Sequence, residues 1–472
     1  MSALFLCWAC STEAPVDVQV PAEATPPAPH LPAERPPPQP GEREPIGERS
    51  ETPRSVLLVS WDTVRADHLG LYGGRAETPN LDALAARGVR FDTAISHYPE
   101  TAISHWSLLT GVEPVVHGDV PATGGSRYRG PTLAEIAAAE GYATGAFIGG
   151  MTLTRGATGL DRGFSVYDDF HTWSPESLKR PGTEVAFRAA EWIRAQDRPV
   201  FAFVHLFDAH APYQPPAPWD TRYTDGYSGP MDGSEEALRP YRDEGRAISD
   251  ADLAQAIALY DGELSFLDSL LPQLLDAVGP DAVIALTADH GESFEHDYLF
   301  NHREALWDST VRVPLVLVGP GLPAGGVVSE QVALTDVMPT VLELAGLPGE
   351  AKITGSSLLP TVAGESGRGE VWSITDPCLP GARVALRRSG DKTIWHDGGR
   401  VEAYDLAADP GELDDLQVAA EGAELAAYRS FEASMASRMR EALPRMTLPG
   451  QTIEQLQALG YVGEAAPCGS EP

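Results

Sequence analysis

The chain has 472 residues, with 34 Lys and Arg against 68 Asp and Glu, a formal net charge of -34. A hydrophobic fraction of 43% supports a sizeable core and excludes global disorder. The acid excess argues against a nucleic-acid partner, because phosphate binding needs a basic face.

At roughly 100–200 residues per domain, the length fits one large domain and a smaller one. Three of the basic residues are lysines, Lys179, Lys352 and Lys392, and the rest are arginines. None of the three lies in a motif.

Residues 1–10 end in the apolar run Ala3-Leu4-Phe5-Leu6-Cys7-Trp8-Ala9-Cys10, which is too short to span a bilayer. The run resembles the end of a bacterial lipoprotein signal, with Cys10 as the acylated residue. That resemblance implies export to the periplasm or cell surface and a lipid tether at Cys10. Residues 11–53 carry eleven prolines between Pro15 and Pro45 and read as a solvated tether. Cys378 and Cys468 fit either a disulfide or two free thiols.

From Arg54 the pattern alternates apolar strands with helices. Val56–Trp61 is a near-continuous apolar run, the mark of a strand covered on both faces. The helix 78–87 follows, stopped at Gly88, and a second helix, 131–140, is stopped by Gly141. Residues 142–148, 200–207, 282–287 and 314–318 are further buried strands. Helices at 183–195, 251–277 and 335–345 separate them. The alternation predicts an α/β fold over 54–360, a mostly parallel sheet flanked by helices. Residues 361–472 read as a small α+β subdomain. It has short strands at 370–374, 382–388 and 393–396, a hairpin turn at Asp397-Gly398-Gly399 and a helix at 416–443.

In an open α/β sheet, ligands bind at the carboxyl ends of the strands. Three predicted strands end in metal-ligand types: Asp62, then Asp208 with His210, then Asp289 with His290. Each alone would read as a turn former or helix cap, but three in one sheet point to a metal centre. Asp with His suits Zn or Mn, whereas Asp alone would suit Ca or Mg. Within the run 99–111, residues Ala102 to Thr110 read as a helix N-capped by Thr101 and stopped by Gly111. A hydroxyl at a helix N-terminus, held by a metal, is eased toward its alkoxide.

At these residues the chain resembles a known family. Ser60-Trp61-Asp62-Thr63-Val64-Arg65-Ala66-Asp67-His68-Leu69-Gly70 is similar to the opening of the sulfatase family in the alkaline-phosphatase superfamily. Thr78-Pro79-Asn80-Leu81-Asp82 and Gly88-Val89-Arg90-Phe91 follow in the same order. So do Ser107-Leu108-Leu109-Thr110-Gly111, Asp289-His290-Gly291-Glu292, Val313-Pro314-Leu315 and the run 403–412. The resemblance covers about 54–415 and implies a sulfatase-like fold and a metal-dependent hydrolase of sulfate- or phosphate-type esters.

Three departures from the family bear on mechanism. Where sulfatases carry a formylglycine precursor in Cys-x-Pro-x-Arg, this chain has Thr101, Ile103 and His105, so formylglycine cannot form. The usual Asp-Asp pair is Asp62-Thr63. The sulfate-binding Lys of a Gly-Lys-x-His segment is missing. The changed set resembles the threonine-dependent phosphotransferases and phosphodiesterases, with Asp62, Thr101, Asp289 and His290 on one metal. Asp208, His210 and His302 would form a second metal or substrate group, with His296 nearby.

A Thr-sulfate ester lacks the aldehyde-forming collapse of formylglycine, whereas a phospho-Thr intermediate is a well-used species, so phospho(di)ester chemistry is expected. Thr101 is the expected nucleophile, with His210 and His302 handling protons and Arg65, His105 and His296 contacting substrate. Bland readings stand beside these. Arg65 could pair with Asp67, His105 could lie on a helix surface, and His205 could be core. Ser104 is a rival nucleophile, one helical turn too deep. One or two divalent ions and a small anionic ester, glycan or lipid substrate are expected. The rival functions are a phosphoethanolamine-type phosphotransferase and an inactive glycan-binding protein.

Overall fold

The structure is a computed structural model that describes residues 53–117, 128–171, 178–224, 226–350, 352–376, 381–397, 399–417 and 430. The leader, the prolines up to residue 45, Cys10, Cys378, Cys468 and nearly all of the helix expected at 416–443 lie outside these residues.

Nine strands form one sheet. In chain order they are β1 (Val56–Trp61), β2 (Val89–Ile95), β3 (Ala143–Ile148), β4 (Val166–Asp168), β5 (Val200–Leu206), β6 (Val283–Ala288), β7 (Arg312–Val318), β8 (Gly326–Val328) and β9 (Val332–Ala333). Their spatial order is β4-β3-β5-β1-β6-β7-β2-β8, with β9 also on β2. β1 is central, parallel to β5 on one side and to β6 on the other. Every residue of β1, β3, β5 and β6 is buried. Full burial of a Val or Leu contributes about 1.5–3 kcal/mol, which is why these runs carry no alternation. The helices Gly182–Arg194 and Asp250–Val278 pack on each other, and Thr101–Thr110 packs against Val337–Ala345.

The sheet is mixed rather than uniformly parallel. β7 runs antiparallel to both β6 and β2. The reason is the connection. Between β6 and β7 lies only a four-residue helical turn, Asp308–Val311. Without a crossover helix the chain re-enters the sheet at the end where it left.

A second sheet is four-stranded and antiparallel, β10 (Val371–Ile374), β11 (Arg383–Arg387), β12 (Asp391–His396) and β13 (Val401–Asp405). The turn after His396 makes the expected hairpin, pairing Trp395 with Val401. Leu416 does not begin a helix; its amide donates to the Ala403 carbonyl at 2.9 Å, extending the sheet edge. Val371, Ala385, Ile394 and Tyr404 share one apolar cluster with Ile95 of β2 and with Leu306, Trp307 and Val311 of the connection between β6 and β7.

A buried ion network fastens the same seam. Lys392 Nζ reaches Asp308 Oδ1 at 2.7 Å and Glu412 Oε1 at 2.8 Å. Arg387 Nη2 reaches Asp308 Oδ2 at 2.7 Å. Removing the ammonium leaves two acids in a low-dielectric seam with one cation between them. Lys392→Met is therefore expected to cost about 3–5 kcal/mol in urea unfolding; unchanged stability would contradict this account of the seam.

Candidate active site

Strand register assembles the centre. Trp61 pairs with Ala288, so Asp62 and Asp289 emerge side by side at the carboxyl ends of β1 and β6. Ser60 pairs with His205 and with Thr287. The two-residue period of a strand then puts Ser60, Asp62, His205 and Asp289 on one face. All four are 0% exposed.

Thr63 turns the chain through a left-handed φ of 58°, which strains a β-branched residue. Three hydrogen bonds hold it. Its amide donates to Asp289 Oδ1 at 3.2 Å, its carbonyl accepts from Tyr260 Oη at 2.8 Å, and its hydroxyl donates to the Asp62 carbonyl at 2.7 Å. The strained turn thus locks the two carboxylates together. It also commits the proton of the Thr63 hydroxyl to the backbone.

The helix Thr101–Thr110 opens one residue earlier than its sequence suggests. Glu100 is the extended residue before it, at φ -148°, and Thr101 is already in the first turn. Thr101 therefore does not cap the helix. Its hydroxyl is free to donate to Asp62 Oδ2 at 3.1 Å and lies 3.5 Å from His290 Nε2. Ser104, the rival nucleophile, donates its hydroxyl to the Asp289 carbonyl at 2.7 Å and is committed to structure.

Two carboxylate oxygens remain without hydrogen-bond partners in this buried place, Asp62 Oδ1 and Asp289 Oδ2. An unsatisfied buried acceptor costs about 1–3 kcal/mol, more when charged. His290 Nε2 lies 3.4 Å from Asp289 Oδ2. Asp62, Asp289 and His290 offer donor atoms all within 4.8 Å of one another. Donors sharing an ion at 2.0–2.2 Å lie about 3–3.5 Å apart, as do His290 Nε2 and Asp289 Oδ2 at 3.4 Å, Thr101 Oγ1 and Asp62 Oδ2 at 3.1 Å, and Thr101 Oγ1 and His290 Nε2 at 3.5 Å. Two carboxylates, one imidazole nitrogen and a hydroxyl fit a divalent ion.

The electrostatics agree. Burial pushes the Asp62 carboxyl up to about 6. Burial and the neighbouring Asp62 charge raise Asp289. Burial alone would lower His290, but Asp289 and Asp62 beside it raise it overall.

Two more imidazoles converge here. His302 stacks on His290 with ring centroids 4.1 Å apart, and His210 meets His302 edge-on at 5.5 Å. The Nδ1 of His302 is 2.6 Å from the Pro99 carbonyl, and the Nδ1 of His210 is 2.8 Å from the Ala211 carbonyl. Proton exchange in both rings therefore falls to Nε2. Burial pushes His210 down to about 3 and His302 well below its ordinary range, so both rings are neutral in the absence of an anionic ligand.

Three expected residues are not brought into this group. Asp208 accepts the Gly182 amide at Oδ1, 3.0 Å, serving the start of the helix Gly182–Arg194. Arg65 is held by Asp67 (2.7 Å) and Glu295 (2.9 Å), the structural pairing. His296 stacks on Trp307 at 3.9 Å, beside the second sheet. His105 is neither a surface residue nor aimed at an opening. It is fully buried, Nδ1 on the Thr101 carbonyl at 2.7 Å and Nε2 on Ser60 Oγ at 2.9 Å, so it braces the first turn of the Thr101 helix.

Two residues escaped the sequence reading. His205 is core, but its Nε2 lies 3.0 Å from Asp62 Oδ2 and fixes that carboxylate. The signal was its strand parity with Ser60 and Asp62. Lys179, outside every motif, has its Nζ on the Asp208 and Pro212 carbonyls at 2.7 and 2.6 Å. No short-range pattern announced it.

Residues 54–347 match the family model described as Sulfatase. An arylsulfatase of Clostridium perfringens is 24% identical over 439 residues, covering 77% of this chain and 90% of the relative. Among solved structures, the phosphonate monoester hydrolase of Agrobacterium radiobacter superposes with a TM-score of 0.65 at 22% identity, covering 83% of this chain and 96% of that one. A structure solved in complex with its substrate D-glucosamine-2-N,6-O-disulfate gives 0.63 at 18% identity, covering 83% and 97%. The chain belongs to the sulfatase family, and it is a hydrolase acting on sulfate or phosphate esters.

Ion and proton compete for Asp62, whose carboxyl titrates near 6. Titration calorimetry with Zn or Mn is therefore expected to show affinity falling by about tenfold or more from pH 7.5 to pH 5. Equal affinity at the two pH values would contradict the assignment of Asp62 as a ligand.

Proposed function

We propose that this hydrolase cleaves phosphomonoesters or phosphodiesters through a covalent intermediate on Thr101. The observation that carries the reading is the Thr101 hydroxyl, which donates to Asp62 Oδ2 at 3.1 Å beside His290 Nε2. Asp62, Asp289, His290 and Thr101 would hold a divalent ion. Such an ion supplies charge neutralisation for the transferring group and lowers the cost of forming an alkoxide.

The protein's own residues account for the rest. Thr101 Oγ1 gives its proton to Asp62 Oδ2 and attacks phosphorus. The Thr101 O–P bond forms as the bond to the leaving oxygen breaks, and that oxygen takes a proton from His210 or His302 at Nε2. Water then attacks the same phosphorus, its proton passing to the imidazole just emptied. The Thr101 O–P bond breaks, and the Thr101 oxygen recovers its proton from Asp62. An anionic ester beside the neutral rings favours their imidazolium forms, which readies them as acids only when substrate is bound. His105 and Ser104 keep the first turn of the helix rigid under the nucleophile.

Preference for phosphorus over sulfur follows from the intermediate. A Thr-sulfate must be cleaved by water without the aldehyde route, whereas metal-assisted hydrolysis of a phospho-Thr is chemically ordinary. Transfer to a second alcohol would use the same first half of the reaction.

Nitrophenyl phosphate, phosphodiester and sulfate esters test this on wild type and Thr101→Ala. The phosphorus esters are expected to turn over fastest. Thr101→Ala is expected to lower kcat by at least about 1000-fold, as for other lost nucleophiles. Retained activity in Thr101→Ala would overturn the nucleophile, and turnover confined to the sulfate ester would overturn the preference for phosphorus.

A further inference from the structure

We propose that Lys179 is the positioning residue for His210, clamping the turn that carries the imidazole. The inference rests on the reading of His210 as a proton carrier for the leaving group.

The turn needs a clamp. After β5 the chain leaves the sheet at Phe207 and carries His210 without regular secondary structure. The Lys179 ammonium donates to the Asp208 carbonyl at 2.7 Å and the Pro212 carbonyl at 2.6 Å. These two acceptors bracket His210, one on each side. With both bonds made, the chord of the turn is set. The ring follows the turn, because His210 Nδ1 bonds the Ala211 carbonyl inside it and the ring stacks on Phe207 with centroids 4.4 Å apart.

The clamp is itself anchored. Lys179 bridges Gly150 just past the end of β3. The Met151 amide donates to the Leu178 carbonyl at 3.2 Å, and the Arg180 amide donates to the Gly149 carbonyl at 2.8 Å. Further along, Glu263 Oε1 accepts the Gln214 amide at 2.9 Å. The turn is therefore tied to β3 through Lys179 and to the long helix Asp250–Val278 through Glu263. Burial disfavours the ammonium, but Glu263, Asp208, Asp62 and Glu292 act against that loss.

A reacting group misplaced by about 1 Å can cost on the order of 100-fold in rate. Lys179→Met is therefore expected to lower kcat by about 10- to 100-fold with KM nearly unchanged. The test uses a series of phosphoryl esters whose leaving groups span acidic phenols to simple alcohols. His210→Ala is expected to steepen the dependence of kcat on leaving-group acidity, because a poor leaving group needs the proton most. Lys179→Met is expected to steepen it in the same direction, by less. A merely structural lysine would lower thermal stability or active fraction and leave that slope at its wild-type value.

A wild-type slope in Lys179→Met, with a steep one in His210→Ala, would overturn the role of Lys179 alone. A wild-type slope in His210→Ala would overturn the reading of His210, and the proposal with it. Should Lys179→Met not accumulate as folded protein, Lys179→Gln, whose shorter amide serves the two carbonyls only in part, is expected to give an intermediate slope. A wild-type slope there would overturn the clamp.

Discussion

Two buried carboxylates emerge side by side from adjacent parallel strands, and the rest of the site answers to that fact. Asp62 and Asp289 are each fully enclosed, and each has one oxygen that no donor in the protein satisfies. Left alone, the pair opposes the fold through desolvation and like-charge repulsion. Its persistence makes sense only beside a strong positive charge. His290 supplies part of it, and the donor spacing leaves room for a divalent ion to supply the remainder.

The surrounding elements are shaped to that pair. Thr63 accepts a left-handed backbone so that its amide can bridge to Asp289. His205 and Thr101 both engage Asp62 Oδ2, one from β5 and one from the helix. Ser104 bonds the Asp289 carbonyl, which ties that helix to the end of β6. His105 spans from the Thr101 carbonyl to Ser60 on β1. The Thr101 hydroxyl is thus held by structure on three sides before any substrate arrives, the condition that covalent catalysis at this position would need.

Much of this was legible in the chain. Near-continuous apolar runs marked the buried strands, and Asp62, Asp289 and His290 stood at strand ends, where α/β sheets bind ligands. What was not legible depends on long-range geometry. The reversed direction of β7 follows from a return path without a crossover helix, which periodicity does not show. Thr101 looked like a cap because capping and first-turn positions differ by one residue. Asp208 was expected at the metal, but its carboxylate is not grouped with Asp62, Asp289 and His290, and the start of a helix far from it in sequence takes one of its oxygens while the other stays unsatisfied. Arg65 and His296 were drawn off by Asp67, Glu295 and Trp307. Lys179 bonds two backbone carbonyls, contacts that leave no motif.

The net charge of -34 reads differently once the site is known. An anionic ester meets a strongly acidic surface, so attraction must be local, and a divalent ion held by Asp62, Asp289 and His290 would supply it. The central claim is that Thr101 becomes covalently attached to the transferred group. Rapid acid quench during turnover of a phosphoryl ester, followed by peptide mapping, tests it directly. The account predicts the mass of the substrate's phosphoryl group on Thr101. Label on Ser104 or another side chain, or continued turnover with no label on Thr101 at any quench time, would contradict it.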